Sequence, residues 1–199
     1  MGLFSFAKTA GRKIGLFGGK AAEEAEQAQA AQETQDQREQ RNRMIAMELK
    51  KSVEGYGLEI ADFAVSFATG TALLGGRART QADKEKAVLV VGNTEGVAQV
   101  DDRLEVEVVE PPAIFHTVVK GDTLSEIAGV NYGVMRLFPL IFEANKPMLQ
   151  HPDEIYPGQV LRIPRVDPPV HTVVSGDTLG TIAKHYYGKA KRYKDIFEA

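Results

Sequence analysis

The residues that could do chemistry in this chain are few: four histidines, one adjacent pair of aspartates and a short loop bracketed by two glycines. There is no cysteine, which excludes a thiol nucleophile, an iron–sulfur cluster, a cysteine-ligated zinc and a disulfide scaffold. Asp101 and Asp102 lie close enough to draw a divalent cation, which prefers carboxylate oxygen. Their plainer role is a solvated strand entry. His116 and His171 precede the same Thr-Val-Val run, which marks them as scaffold. His151 precedes Pro152 in a loop, and His185 lies in a cationic stretch. No P-loop, G-x-S-x-G or H-E-x-x-H pattern is present, so no enzyme is expected. On residue type alone Gly92 and Gly96, in VVGNTEGV, are turn glycines.

The elements that must position these residues follow from charge and periodicity. A formal net charge of −3 over 199 residues gives no basic face for nucleic acid. No run approaches the roughly 20 apolar residues of a membrane span, and no secretory signal is apparent. A cytoplasmic protein is therefore expected. The charge divides unevenly, +4 over residues 1–20 and −8 over residues 21–110.

In residues 1–19, Leu3, Phe6, Ala7, Ala10, Ile14 and Phe17 recur at helical spacing and predict a short amphipathic helix, its first segment ending at Gly11, docked on the domain that follows. Residues 20–43, rich in Ala, Glu and Gln, read as a solvated helical spacer. Met44, Ile45, Met47, Leu49 and Val53 give the apolar side of a further helix, the methionines as core. Alternation from Leu58 to Phe67 and from Thr71 to Arg77 predicts a hairpin turning at Thr69-Gly70. Gln81 to Val91 is helical and stops at Gly92-Asn93. Val97 to Val109 alternates again as a third strand. The first domain, residues 44–110, is thus αββαβ, and the fold class is α+β.

Residues 116–144 align without gaps to residues 171–199 and share 16 of 29 positions, including HTVV, GDTL and IFEA. That identity requires a duplicated module. The first copy, within residues 115–165, reads as βααβ. Thr123 with Glu126 forms a capping box at its first helix, whereas Thr178 with Thr181 leaves the box of the second copy incomplete. Pro139 sits in the first turn of the next helix, and Val160 to Ile163 returns as the closing strand. The second copy, residues 170–199, lacks that strand, so its first strand is expected to stay unpaired unless another chain supplies a partner.

Through VKGDTLSEIA, FEAN and IYPGQVLRIP, residues 116–164 resemble a LysM domain. Element order and the GNxxGVxxVDD segment make residues 44–109 similar to a BON domain. BON followed by LysM, behind MGLFxFxKxAG, resembles the bacterial potassium-binding proteins of BON–LysM type. The resemblance implies a K⁺ site of backbone carbonyls from Ala7, Ala10, Gly92, Thr94 and Val97, and a contact between BON and LysM within the chain. Free carbonyls at helix ends suit such a site, and neutral carbonyl dipoles suit a large monovalent cation.

The leading expectation is a K⁺ sensor that compacts on binding its ion. LysM domains generally bind N-acetylglucosamine polymers, so a second reading is peptidoglycan binding through Asp122, Thr123, Leu124, Ile155 and Tyr156. A third is a phospholipid surface contacted by BON and the basic N-terminal segment.

Overall fold

The computed structural model describes residues 2–6, 34–166 and 171–197. The expected spacer up to residue 33, the N-terminal helix beyond Phe6 and the proposed ligands Ala7 and Ala10 lie outside them.

The first domain is a helix-backed sheet. Helix α1 (Gln35–Glu54) starts at Thr34, whose hydroxyl and backbone exchange hydrogen bonds with Gln37 in a full capping box. Its apolar stripe is Ile45, Ala46, Leu49 and Val53, four residues apart or nearly so, as one helical face requires. Met44 and Met47 fall off that stripe and are 63% and 71% exposed; they are not core, contrary to the sequence expectation. Strands β2 (Ile60–Ala68) and β3 (Thr71–Thr80) form the expected hairpin. Helix α2 (Gln81–Gly92) follows, capped by the Thr80 hydroxyl accepting from the Asp83 amide. The expected third strand is split into β4 (Gln99–Asp102) and β5 (Glu105–Val108), both running parallel to β3. The split falls at Arg103-Leu104, where the Arg103 amide bonds the Leu74 carbonyl and the Leu104 amide bonds the Asp102 side chain.

The N-terminus departs from expectation. Gly2–Ser5 is not helical but a strand, β1, antiparallel to β4. Its inward residues are Phe4 and Phe6, while Leu3 is 63% exposed. Leu3 and Phe6 happen to fit a helical spacing, but the operative period is two. The deciding factor is the open edge of β4, whose backbone groups need partners.

The second domain has the expected βααβ order. Strand β6 (Ile114–Thr117) pairs antiparallel with β7 (Val160–Ile163). Between them lie α3 (Leu124–Tyr132), a 3₁₀ turn at Met135–Leu137 and α4 (Phe138–Ala144), with Pro139 in the first turn. Val118, Leu124, Ile127, Ala128, Ile141, Leu149, Leu161 and Ile163 make its core.

The second copy forms α5 (Leu179–Tyr187), a 3₁₀ turn at Ala190–Arg192 and α6 (Tyr193–Phe197). Residues 171–174 are in no strand. Val173 is 69% exposed where its counterpart Val118 is 2% exposed; among the described residues no strand pairs with 171–174 as β7 pairs with β6. The caps reverse the expectation. The Thr178 amide donates to the Thr181 hydroxyl at 2.9 Å, completing a box; a hydroxyl accepts as well as a carboxylate does. In the first copy the Glu126 carboxylate instead takes the Thr123 hydroxyl, at 3.1 Å.

Candidate functional site

The loop after α2 is where the sequence and the packing converge. As α2 ends, its last carbonyls are taken up one by one. Leu89 accepts from the Asn93 amide at 2.9 Å, Val90 from the Thr94 hydroxyl at 2.9 Å, and Val91 from the Thr94 amide at 3.1 Å. Gly92 is the next carbonyl in line, past the last intrahelical donor. The chain then reverses through a turn closed by the Val97 amide donating to the Thr94 carbonyl at 3.2 Å. Gly96, at φ +88°, occupies the position of that turn that needs a left-handed residue. A carbonyl oxygen has two lone pairs, so Thr94 keeps one for another partner. Thr94 and Val97 are 4% and 2% exposed. The structure therefore brings Gly92, Thr94 and Val97, all three buried, together in one six-residue turn.

The N-terminal strand ends against this loop. The Phe6 amide donates to the Ala98 carbonyl at 2.9 Å, and the Phe6 ring lies on Gly92. A β-carbon at Gly92 would stand 2.0 Å from Phe6 Cζ, so only glycine admits the ring here.

The same loop is fastened to the second domain. The Asn93 carboxamide donates from Nδ2 to the Val160 carbonyl and accepts at Oδ1 from the Val160 amide, both at 2.8 Å. Asn145 does the same for Arg162, at 2.7 and 2.8 Å. The open edge of β7 is thus paired by two side-chain amides, one from each domain and each at the C-terminus of a helix. Alternation along β7 serves both domains: Val160 joins the first core, Leu161 and Ile163 the second. Helix α2 lies between its own sheet and β7, which explains why residues 87–92 are all buried.

Charge closes the seam. Arg162 Nε meets Glu85 Oε2 at 2.7 Å, with side chains 10% and 5% exposed. The other Glu85 oxygen accepts from the Ala113 amide and the Gln81 side chain. Phe4 of β1 meets Phe115 of β6 at 5.3 Å between ring centres. Burial, with Arg162 nearby, holds the Lys86 pKa below its ordinary value.

The aspartate pair is already engaged. Asp102 is 2% exposed, meets Lys84 Nζ at 3.0 Å and accepts from the Leu104 amide. Asp101 pairs with Arg103 at 2.9 Å. Asp102 is a buried ion pair rather than the solvated strand entry expected. Among the described residues no cluster of three or more metal-ligating side chains occurs.

The residues expected to contact glycan share one end of the second domain but differ in role. The Asp122 carboxylate accepts from the Val119 amide at 3.0 Å and sits 2.8 Å from His116 Nε2. The His116 bond, then the amide, hold its pKa below the usual carboxylate value. His171 and Asp177 repeat this arrangement at 2.9 Å. Thr123 caps α3, and the Leu124 side chain is core, 3% exposed. Ile155 packs partly buried on that core, and Tyr156 is 40% exposed. The Gly158 amide donates to the Val118 carbonyl, which sets the Tyr156 turn beside the strand leading to Asp122. Tyr156, Tyr56, Glu154, Gln159 and Asn93 also line a cavity of about 120 Å³ on the seam between domains.

Sequence reasoning missed Asn93, Glu85 and Arg162 as the fastening between domains, and Phe6 as the plug on Gly92. The one signal was an asparagine directly after the helix-ending glycine, which reads equally as a cap.

Comparison with known proteins follows this division. The BON domain family matches residues 42–108. The LysM domain family matches residues 116–134, 138–164 and 171–198, so both copies of the repeat are recognised. The chain is 39% identical over 167 residues to potassium binding protein Kbp of Escherichia coli O6:H1, covering 82% of this chain and 99% of that protein. Two Mycobacterium tuberculosis proteins, esterase Rv1288 and esterase MT1326, each match 76 residues at 42% identity, only 16% of their own length. No helix among the described residues is long and apolar enough to cross a membrane. With BON and LysM in the same order and nearly the whole of the relative covered, this chain belongs to the Kbp family.

Proposed function

We propose that this protein binds K⁺ through the backbone carbonyls of Ala7, Ala10, Gly92, Thr94 and Val97 and acts as a cytoplasmic, non-enzymatic ion sensor. The observation that carries the reading is the seating of Phe6. Its amide on Ala98 and its ring on Gly92 bring the N-terminal segment to the loop that holds three of the five oxygens, one residue before Ala7. The name of the Escherichia coli relative supports the choice of ion. Five carbonyls drawn from two separate segments converge in only one arrangement, so the ion stabilises that arrangement by mass action. Asn93 joins the same loop to β7, so ordering the loop favours the docked LysM domain. That is the physical content of compaction.

Calorimetric titration with KCl, against NaCl at equal ionic strength, tests binding; small-angle scattering across the titration tests compaction. Heat and a smaller radius of gyration with KCl alone are expected. Equal responses to the two salts contradict the reading.

The LysM match also favours a second reading, recognition of N-acetylglucosamine polymers at the Asp122–Leu124 and Ile155–Tyr156 end. The half-exposed Tyr156 ring supports it, since exposed aromatic faces suit sugar stacking. Co-sedimentation with peptidoglycan at physiological salt separates the two readings.

A further inference from the structure

We propose that the Glu95 carboxylate is itself a ligand of the cation held at the 92–97 loop, giving the site a fixed negative charge that a cage of backbone carbonyls lacks. This rests on the reading of the loop as a cation site and deepens it.

Glu95 stands between Thr94 and Gly96, inside the turn closed by the Val97 amide on the Thr94 carbonyl. Its Oε2 is shielded from solvent and has no hydrogen-bond partner. No ion pair to Glu95 is present among the described residues, and α2 has no basic residue in its last turn. Two other carboxylates at the domain seam are engaged: Glu85 by Arg162 and the Ala113 amide, Asp102 by Lys84 and the Leu104 amide. A carboxylate oxygen removed from water without a partner is costly, and a cation is the partner that offsets that cost best. Glu95 stands one to three residues along the chain from Gly92, Thr94 and Val97, whose carbonyls are assigned to the ion. A mixed site of neutral carbonyls and one carboxylate attracts any cation more strongly, and it admits calcium, which a purely neutral cage disfavours.

The test compares the parent with Glu95→Gln, which keeps shape and removes charge. Thermal unfolding in choline chloride reports the ion-free fold; titration with KCl, alone and with CaCl₂ competing, reports the site. Glu95→Gln is expected to melt at or above the parent temperature in choline chloride, because a carboxylate with one shielded, unpartnered oxygen becomes a neutral amide. Its K⁺ affinity should fall about tenfold, and calcium should cease to compete. K⁺ affinity and calcium competition equal to the parent's overturn the proposal. So does a loss of ion-free stability matching that of Lys8→Gln, which would make Glu95 a partner of the basic N-terminal segment. Absence of K⁺ binding by the parent instead removes the site reading itself, and the proposal with it.

Discussion

The carboxamide of Asn93 pairs with both backbone groups of Val160, 67 residues away, at 2.8 Å each. A side chain here does what a neighbouring strand would do, and it does so one residue from Gly92, the first of the loop's three carbonyls in the proposed site. Loop and LysM domain are therefore parts of one hydrogen-bonded unit.

Asn93→Ala removes the partners of the Val160 amide and carbonyl together. Leaving such groups unpaired should cost about 2 kcal/mol, read as a lower denaturant midpoint. A shift under about 0.5 kcal/mol, the scale of an ordinary surface change, would mean that water replaces the carboxamide and that the lock is not one.

Arg162→Met leaves the Glu85 carboxylate buried without its cation. Breaking a buried pair from one side costs about 3–5 kcal/mol. Combined with Glu85→Gln, the double variant should lose less than the two singles added, and a thermodynamic cycle measures that coupling. Strict additivity would show that the two side chains stabilise the seam independently.

Gly92→Ala places a methyl group inside the Phe6 ring volume. The ring must leave, β1 should undock, and amide hydrogen exchange over residues 2–5 should rise sharply. On a Phe6→Ala background the same methyl should be tolerated. Unchanged protection in Gly92→Ala would contradict the packing described.

The pH dependence follows from Asp122, whose folded pKa lies below its ordinary value of 3.8. A depressed carboxylate contributes stability that is full above the unfolded value and lost as pH falls through the folded one. The difference in melting temperature between parent and Asp122→Asn should shrink as pH drops below 3.8. The pair is partly open to solvent, which screens it, so the difference will be small. A gap that widens in acid would reverse the assignment.

Much of this fold could be read from the sequence because its signals are local. The hairpin at Thr69-Gly70, the end of α2 at Gly92 and the βααβ repeat rest on periodicity and turn chemistry within a few residues. Most of the failures are long-range, the complete Thr178–Thr181 cap being the local exception. Gly2–Ser5 is a strand because β4, a hundred residues away, offers an open edge. Met44 and Met47 are exposed because the core selects the stripe through Ile45 and Leu49. Of the expected site, Gly92, Thr94 and Val97 come together because they share one turn. The pairs Glu85–Arg162 and Asn93–Val160 have no local signature, and no periodicity could announce them.

The most direct test of the central claim is a two-dimensional amide NMR titration of the full chain with KCl, paired with NaCl at the same ionic strength. The account predicts K⁺-specific shifts concentrated at Gly92, Thr94, Gly96 and Val97, with Phe6 and Val160 following at the same midpoint. Shifts that are equal for the two salts, or that leave the 92–97 turn unmoved while the LysM domain responds, would contradict it.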